Sequence, residues 1–288
     1  MKIFITFFLM VVLILSLSLE VDELAIQLQD EAFNRALVSF GLAKGLNAVI
    51  SLLQGTQLSF TPVGVGLNFS VGEILDPFND MVERFSWIML VATVSIGIQK
   101  IVLTLSATLF MQTALLISVS ISLFLLWSKS IKFHALATFV TKSFLLLLLL
   151  RFSAIIFIYT ISFMHTNVLA LEYMQASEVV ENTKIQLDKL NKEKQTLVKA
   201  QKKDGFFSGL SSKYSAVLEK LNISQQLQSL ESSIDKASNN IITLITIFIV
   251  ETVLMPLLYF WFLLTSIKYI FRFKFDIHLK KLLYNRIN

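Results

Sequence analysis

Two long apolar runs, residues 143–165 and 241–267, enclose a polar segment. Each run is long enough to match the roughly 20 residues that a helix needs to cross the hydrocarbon core of a bilayer. The chain is 55% hydrophobic, whereas soluble domains are about 45–50% apolar, so the excess must be buried away from water. The runs do not alternate in polarity, as the strands of a membrane barrel do. The sequence therefore predicts an all-α polytopic membrane protein.

The polar segment, residues 166–240, carries core-type residues at alternating spacings of three and four. They are Tyr173, Ala176, Val180, Thr183, Leu187, Leu190 and Leu197 in the first arm, and Ile223, Leu227, Leu230, Ile234, Ala237, Ile241, Leu244 and Phe248 in the second. Sustained heptads with charged residues between them are typical of coiled coils. Gly205 and Gly209 allow the backbone to reverse between the arms. We expect an antiparallel coiled-coil hairpin, in which each arm packs on the other arm, on another subunit, or on both.

The predicted tip of this hairpin, residues 204–209, contains two adjacent aromatic residues, Phe206 and Phe207. Large apolar side chains are unexpected at a water-exposed turn. Either they fold back and cap the two arms, or they form a contact surface that docks on a partner or on a membrane. The docking interpretation fits a protein that uses its coiled coil to bind a protein partner or to form a homo-oligomer.

The part of the chain before the membrane region has two segments. Residues 1–19 contain one lysine and then an apolar run, which indicates a cleaved signal peptide or an uncleaved anchor helix. Residues 20–84 begin with a predicted amphipathic helix, interrupted near Gly41 or Gly45, and continue with a Gly-rich extended stretch at 55–72. The apolar positions of the helix are Leu24, Leu28, Phe33, Leu37, Phe40, Leu46, Val49 and Leu53. We expect residues 20–84 to be extracytoplasmic.

Residues 85–165 form the predicted membrane region. We expect one long helix whose lower part, about 101–127, spans the bilayer, followed by a span at about 143–165. The alternative is a tight pair of spans that meet near Ser106-Ala107-Thr108. Residues 241–267 supply the span that follows the hairpin.

Basic residues indicate the orientation of the spans. Three lysines, Lys129, Lys132 and Lys142, lie near the connection between two spans, and the tail 268–288 is rich in lysine and arginine. The positive-inside rule places both groups in the cytoplasm and hence the hairpin in the periplasm. Abundant Lys, Ile, Asn and Phe resemble the composition of AT-rich bacteria, so we expect a multi-pass protein of a bacterial inner membrane. The net charge of +5 is concentrated beside spans, which predicts contact with membrane lipid and not with nucleic acid.

Two charged residues, Arg151 and Glu251, lie inside predicted spans. A charge near the bilayer centre costs about 2.5–3.5 kcal/mol on insertion scales, so such residues usually face the bundle and pair. We expect Arg151 and Glu251 to pair, with Lys100 as a second candidate partner for Glu251. The pair fixes helix register, or it belongs to a proton or ion pathway, or Arg151 reaches towards lipid headgroups instead. Pro256 also frees the carbonyl group of Thr252, four residues before it.

The sequence has none of the motifs that carry catalysis. The chain has no cysteine, its three histidines are far apart, and it contains no nucleophile-elbow, zinc-protease or phosphate-loop motif. We therefore expect no enzyme activity, cofactor or metal. The preferred function is an assembly or scaffold role through the periplasmic coiled coil. The alternative is a transporter or channel component that uses Arg151, Glu251 and Lys100.

Overall fold

The structure, a computed structural model, describes residues 19–55, 71–127, 134–203 and 223–272, together with residues 6, 7, 10, 11 and 14. All of these residues are helical except Ala107 and Thr108. Four helices of the described part are long and apolar enough to cross a membrane: Glu20–Gln54, Leu75–Ser106, Phe139–Lys192 and Ser229–Arg272. The prediction of an all-α fold is confirmed for the described residues, and the four apolar helices are compatible with a multi-pass membrane protein.

The helices follow one another with few interruptions. They are α1 (Leu19–Gly55), α2 (Val71–Ser106), α3 (Leu109–Trp127), α4 (His134–Met164), α5 (Ala170–Lys203), α6 (Ile223–Ile249) and α7 (Met255–Arg272). A π-helix, π1 (His165–Leu169), joins α4 directly to α5, and a second, π2 (Val250–Leu254), joins α6 directly to α7. The predicted spans at 143–165 and 241–267 both fall within these two continuous helical paths. Of the predicted Gly-rich extended stretch 55–72, residues 55, 71 and 72 are helical and 56–70 lie outside the described residues. The tip 204–209 and the part of the basic tail 268–288 beyond Arg272 also lie outside them.

The chain forms two compact units. Unit 1 contains Met1–Phe33, Ser95–Thr166 and Val250–Asn288, and unit 2 contains Asn34–Val94 and Asn167–Ile249. The chain passes between the units four times: within α1, within α2, within π1, and between α6 and π2.

In unit 2, α5 packs along α6. Between residues 170 and 192 and between 229 and 249, the buried residues on the two helices are Ala176, Val180, Thr183, Leu187 and Asn191, and Leu230, Ile234, Ala237, Ile241, Leu244, Ile247 and Phe248. The spacing of three and four therefore predicts burial well up to Leu187. Beyond it, Asn191 is buried and Leu190 is only half-buried. Asn191 lies eleven residues after Val180, which is three turns at about 3.67 residues per turn, so a nearly straight helix presents Asn191 where a strict heptad would present Leu190.

Helix α1 is continuous, so the interruption predicted near Gly41 or Gly45 is wrong. Gly45 serves close packing instead, because the Lys184 side chain crosses α1 there, with its Cε atom 2.8 Å from the position that a Cβ atom would occupy. The predicted apolar face is also partly wrong, since Leu24 and Leu37 are exposed. A stripe at spacings of three and four is buried instead: Asp22, Ala25, Gln29, Ala32, Ala36, Ser39, Ala43, Leu46, Ile50 and Leu53.

The single long helix predicted through residue 127 is interrupted between α2 and α3, at the place named in the alternative. The hydroxyl of Ser106 donates to the Leu103 carbonyl over 2.7 Å, and that of Thr108 donates to the Leu105 carbonyl over 2.8 Å. The amide of Thr108 bonds the same Leu105 carbonyl, three residues back. Hydroxyl side chains that occupy nearby carbonyls compete with the helical hydrogen-bond pattern, which explains a helix end without proline or glycine.

Two apolar clusters form the core of unit 1. The larger contains Ala25, Leu103, Ala154, Ile155, Phe157, Ile158 and Ile161, and the smaller contains Leu115, Val119 and Phe144, where α3 meets α4. Helix α7 has no buried residue, and its large apolar side chains, including Leu257, Trp261 and Phe262, are exposed.

Candidate functional site

Arg151 forms a buried ion pair with Asp22. Arg151 Nη2 lies 2.5 Å from Asp22 Oδ2, and the side chains are only 1% and 6% exposed. Arg151 lies on α4 and Asp22 on α1. The buried faces of these two helices also contribute residues to the larger apolar cluster of unit 1. Breaking a buried ion pair by removing one partner typically costs about 3–5 kcal/mol, because the other charge is left uncompensated. The contact therefore fixes α1 against α4.

Glu251 pairs with His165. His165 Nδ1 lies 2.8 Å from Glu251 Oε1, and the side chains are 10% and 3% exposed. His165 is the first residue of π1, and Glu251 is the second of π2. Each of the two π-helices in the described chain thus contributes one member of the same contact. Single π turns within α-helices are frequently found at functional sites.

The carbonyl group of Thr252, four residues before Pro256, accepts a hydrogen bond from a side chain. The hydroxyl of Ser95, on α2, donates to the Thr252 carbonyl over 3.2 Å. This is the carbonyl that a proline four residues later leaves without its helical amide. The polar contacts of π2 therefore involve α2 as well as π1.

Lys100 has a different environment from the one predicted. Its Nζ atom lies 2.5 Å from Asp30 Oδ1 and 5.9 Å from the centre of the Phe33 ring, and the Lys100 and Asp30 side chains are 41% and 43% exposed. Exposed ion pairs contribute about 0–1 kcal/mol. Lys100 is therefore a modest link between α2 and α1, and Asp30 takes the place that the sequence suggested for Glu251.

Arg151 and Glu251 thus have different partners, Asp22 and His165, in place of the single pair expected from the sequence. Arg151 and His165 are fourteen positions apart on one helical path, or about 21 Å at 1.5 Å per residue. Ala154, Ile158 and Ile161 occupy the buried stripe between them and belong to the apolar cluster. The two polar contacts are therefore separated by close-packed apolar side chains.

The chemistry available to the two contacts is limited to charge pairing and proton sharing. A carboxylate and an imidazole at hydrogen-bond distance can exchange one proton, and the histidine is cationic or neutral accordingly. An arginine stays charged, so the Arg151–Asp22 contact is a fixed ion pair. Among the described residues, no group of three or more His, Asp or Glu side chains is arranged to hold a metal ion.

Asp22 and His165 are the two functional candidates that sequence reasoning missed. Each occupies the next position along a stripe of buried residues on its own helix. Asp22 precedes Ala25 by three residues, and His165 follows Ile161 by four. Glu251 likewise follows Phe248 by three, so extending each stripe by one step would have predicted burial of all three residues.

The other predicted site residues, Phe206 and Phe207 at the tip, lie outside the described residues. No family model, no curated protein and no solved structure matches the chain.

Proposed function

We propose that this chain is a non-enzymatic, multi-pass protein of a bacterial inner membrane that acts in assembly or as a scaffold. Its binding element is the hairpin formed by α5 and α6, an antiparallel coiled coil on the periplasmic side. The observation that carries the proposal is that Arg151 and Glu251 each have a complementary partner, and that apolar packing separates the two contacts. Such an arrangement suits a rigid holder better than an open polar path.

Membrane insertion is supported by the exposed side chains of α3 and α7. Leu109, Phe110 and Phe124 on α3 are 77%, 80% and 72% exposed, and Trp261 on α7 is 67% exposed. Large apolar patches on a monomer mark a partner surface or contact with lipid. Helix α7 packs Met255 and Tyr259 against the apolar cluster of unit 1 and exposes large apolar side chains elsewhere. This favours lipid, because the outer face of a helix in a water-soluble bundle is polar.

The orientation is supported by a contact between two basic regions. Lys142 Nζ, on α4, donates to the carbonyl of Phe271 over 3.1 Å, next to Arg272 at the end of α7. The basic residues near the start of α4 and those at the end of α7 therefore belong to one side of the membrane, and the positive-inside rule makes that side cytoplasmic.

The hairpin is supported by the packing of unit 2. The Tyr173 ring, near the start of α5, contacts the Phe248 ring, near the end of α6, with centroids 6.1 Å apart. This contact and the packing along the two helices favour an antiparallel arrangement. The apolar seam between α5 and α6 is filled by the side chains of these two helices. The partner, another protein or a second copy, would therefore bind the outer polar face or the tip.

The test is photo-crosslinking in living cells from a photoreactive residue at position 206 or 207. We expect capture of a periplasmic or inner-membrane protein, or of a second copy. Position 258 on α7, a 54% exposed leucine, is the matched control and should give lipid adducts alone. Capture of cytoplasmic proteins from the tip would overturn the orientation, and a tip that captures no protein would overturn its role in binding.

A transporter or channel component is the second candidate, and the His165–Glu251 contact favours it because the pair can exchange a proton. Arg151 and Glu251 would line such a path, whereas Lys100 is tied to Asp30 near the surface. In proteoliposomes, Glu251→Gln should abolish flux of a transporter. A scaffold would show no flux before or after the change.

A further inference from the structure

Unit 2 carries a ring of exposed apolar side chains at one end. Val38 on α1, Trp87 and Val91 on α2, Leu171 and Met174 on α5, and Ile249 on α6 are between 43% and 67% exposed. We call these six residues the apolar belt. Every described helix of the unit contributes to it.

Contacts inside the unit place the α1, α5 and α6 members of the belt at similar heights. The Ser39 hydroxyl, beside Val38, lies 3.3 Å from the Tyr173 hydroxyl, between Leu171 and Met174. The Tyr173 ring in turn contacts Phe248 on α6, next to Ile249. These two contacts connect three of the four helices at one level.

Helix α2 reaches the same level from the other end of the unit. Gln54 Nε2, at the end of α1, donates to Asp76 Oδ1, at the start of α2, over 2.6 Å. Measured from this contact at 1.5 Å per residue, Val38 is about 24 Å along α1 and Val91 is about 22 Å along α2. The four helices therefore expose apolar residues at a common depth.

The belt has a polar border on three of its helices. One or two turns further from it, the exposed charged residues are Lys44 on α1, Glu83 and Arg84 on α2, and Glu178 and Glu181 on α5. On α6 the exposed charges Asp235 and Lys236 lie about four turns further out. Trp87 lies at this border, three residues from Arg84. Tryptophan is enriched where the hydrocarbon core of a bilayer meets water.

From these observations we infer that the apolar belt lies in the periplasmic interface of the lipid bilayer. A protein partner covers one side of a helical bundle, whereas the belt is present on all four helices, so its occupant surrounds the unit. Glu172 and Gln175 are exposed at the same level, which fits the headgroup depth and not the bilayer centre. Lipid thus reaches Met174, beyond the end of the span predicted at residue 165.

The inference rests on the proposed membrane insertion but not on the scaffold role. The chain has no cysteine, so single cysteines carry a nitroxide label without background. The belt variants are Val91→Cys, Leu171→Cys and Ile249→Cys, the border variants are Glu83→Cys, Glu178→Cys and Asp235→Cys, and the insertion control is Leu258→Cys. Each labelled full-length protein is reconstituted in liposomes, and collision with oxygen, which concentrates in lipid, is compared with collision with a water-soluble nickel chelate.

We expect oxygen collisions to dominate at all three belt positions and at position 258, and nickel collisions to dominate at the three border positions. Nickel dominance in the belt, with oxygen dominance at 258, would overturn the inference and leave membrane insertion intact. Nickel dominance at 258 would overturn insertion itself. Belt positions shielded from both reagents would also overturn the inference, because a protein or a second copy would then cover them.

Discussion

His165 and Glu251 join the two π-helices of the described chain through one contact of 2.8 Å between Nδ1 and Oε1. Both side chains are nearly inaccessible, and each continues a stripe of buried residues on its own helical path. The contact holds α4 and α7 in a defined register where both helices depart from α-helical geometry.

Replacing either member of this contact should destabilise the protein. We expect Glu251→Leu or His165→Leu to lower the free energy of unfolding by about 1–3 kcal/mol when the lost contact is a neutral hydrogen bond, and by about 3–5 kcal/mol when it is an ion pair. The double replacement should recover most of the loss, because neither polar group is then buried alone. Thermal unfolding of the purified protein in detergent measures this. Glu231→Leu, at an exposed position on α6, is the control. A double variant no more stable than the worse single one would contradict a pairwise contact.

The Arg151–Asp22 pair should contribute far more to stability than the Lys100–Asp30 pair. We expect Asp22→Ala to cost about 3–5 kcal/mol, because Arg151 is left charged in an apolar core. Asp30→Ala removes an exposed pair of similar distance and should cost about 0–1 kcal/mol. Chemical unfolding of the two variants side by side gives the comparison. Equal losses would show that burial does not decide the strength of these pairs.

Gly41 and Gly45 offer a matched pair of substitutions on α1. An added Cβ at Gly41 meets no atom within 4 Å, so Gly41→Ala should stabilise the helix by about 0.5–1 kcal/mol. At Gly45 the same group meets the Lys184 side chain at 2.8 Å, so Gly45→Ala should gain less or lose stability. The Lys184→Ala background should remove the difference, and melting temperatures of the four proteins check it. A difference that survives in that background would point to backbone strain instead.

Asn191 should limit the stability of the α5–α6 packing. It is 6% exposed, and its Oδ1 atom has no hydrogen-bond partner within the described part of the chain. Asn191→Leu should therefore raise the melting temperature, since burying an unpaired amide oxygen costs about 1–3 kcal/mol. A buried asparagine also fixes register in coiled coils, so the variant should widen the distribution of spin-label distances between α5 and α6. Unchanged stability would indicate that Asn191 is satisfied by a partner or by water.

Sequence reasoning located the charges but not their partners. Arg151 and Glu251 are conspicuous because each interrupts an apolar run, and polarity alone is enough to find them. Asp22 looks like part of an acidic flank, and His165 looks like a residue at a span end, because a hydropathy profile ignores the helical stripe on which each lies. The choice of partner depends on which helices are adjacent, and this information is absent from any single segment.

The fold likewise has features that the sequence predicts and features that it does not. The seam on α6 from Leu230 to Phe248 follows directly from its spacing, since large apolar residues mark it. The buried face of α1 was harder to predict, because its members Ala25, Ala32 and Ala36 are small, while the larger Leu24 and Leu37 are exposed. The helix end at Ser106 arises from hydroxyl groups that bond nearby carbonyls, and serine is common inside helices that do not end.

The alanines on the buried face of α1 determine how that helix can be studied. Alanine scanning, which is the usual search for important contacts, leaves Ala25, Ala32, Ala36 and Ala43 unchanged and so passes over the positions where α1 is closest-packed. The informative scan on this helix is the opposite one, in which each alanine is enlarged to leucine, because overpacking a close contact typically costs about 1–3 kcal/mol. On α1, tolerance of added volume, and not loss of it, will map the surface that matters.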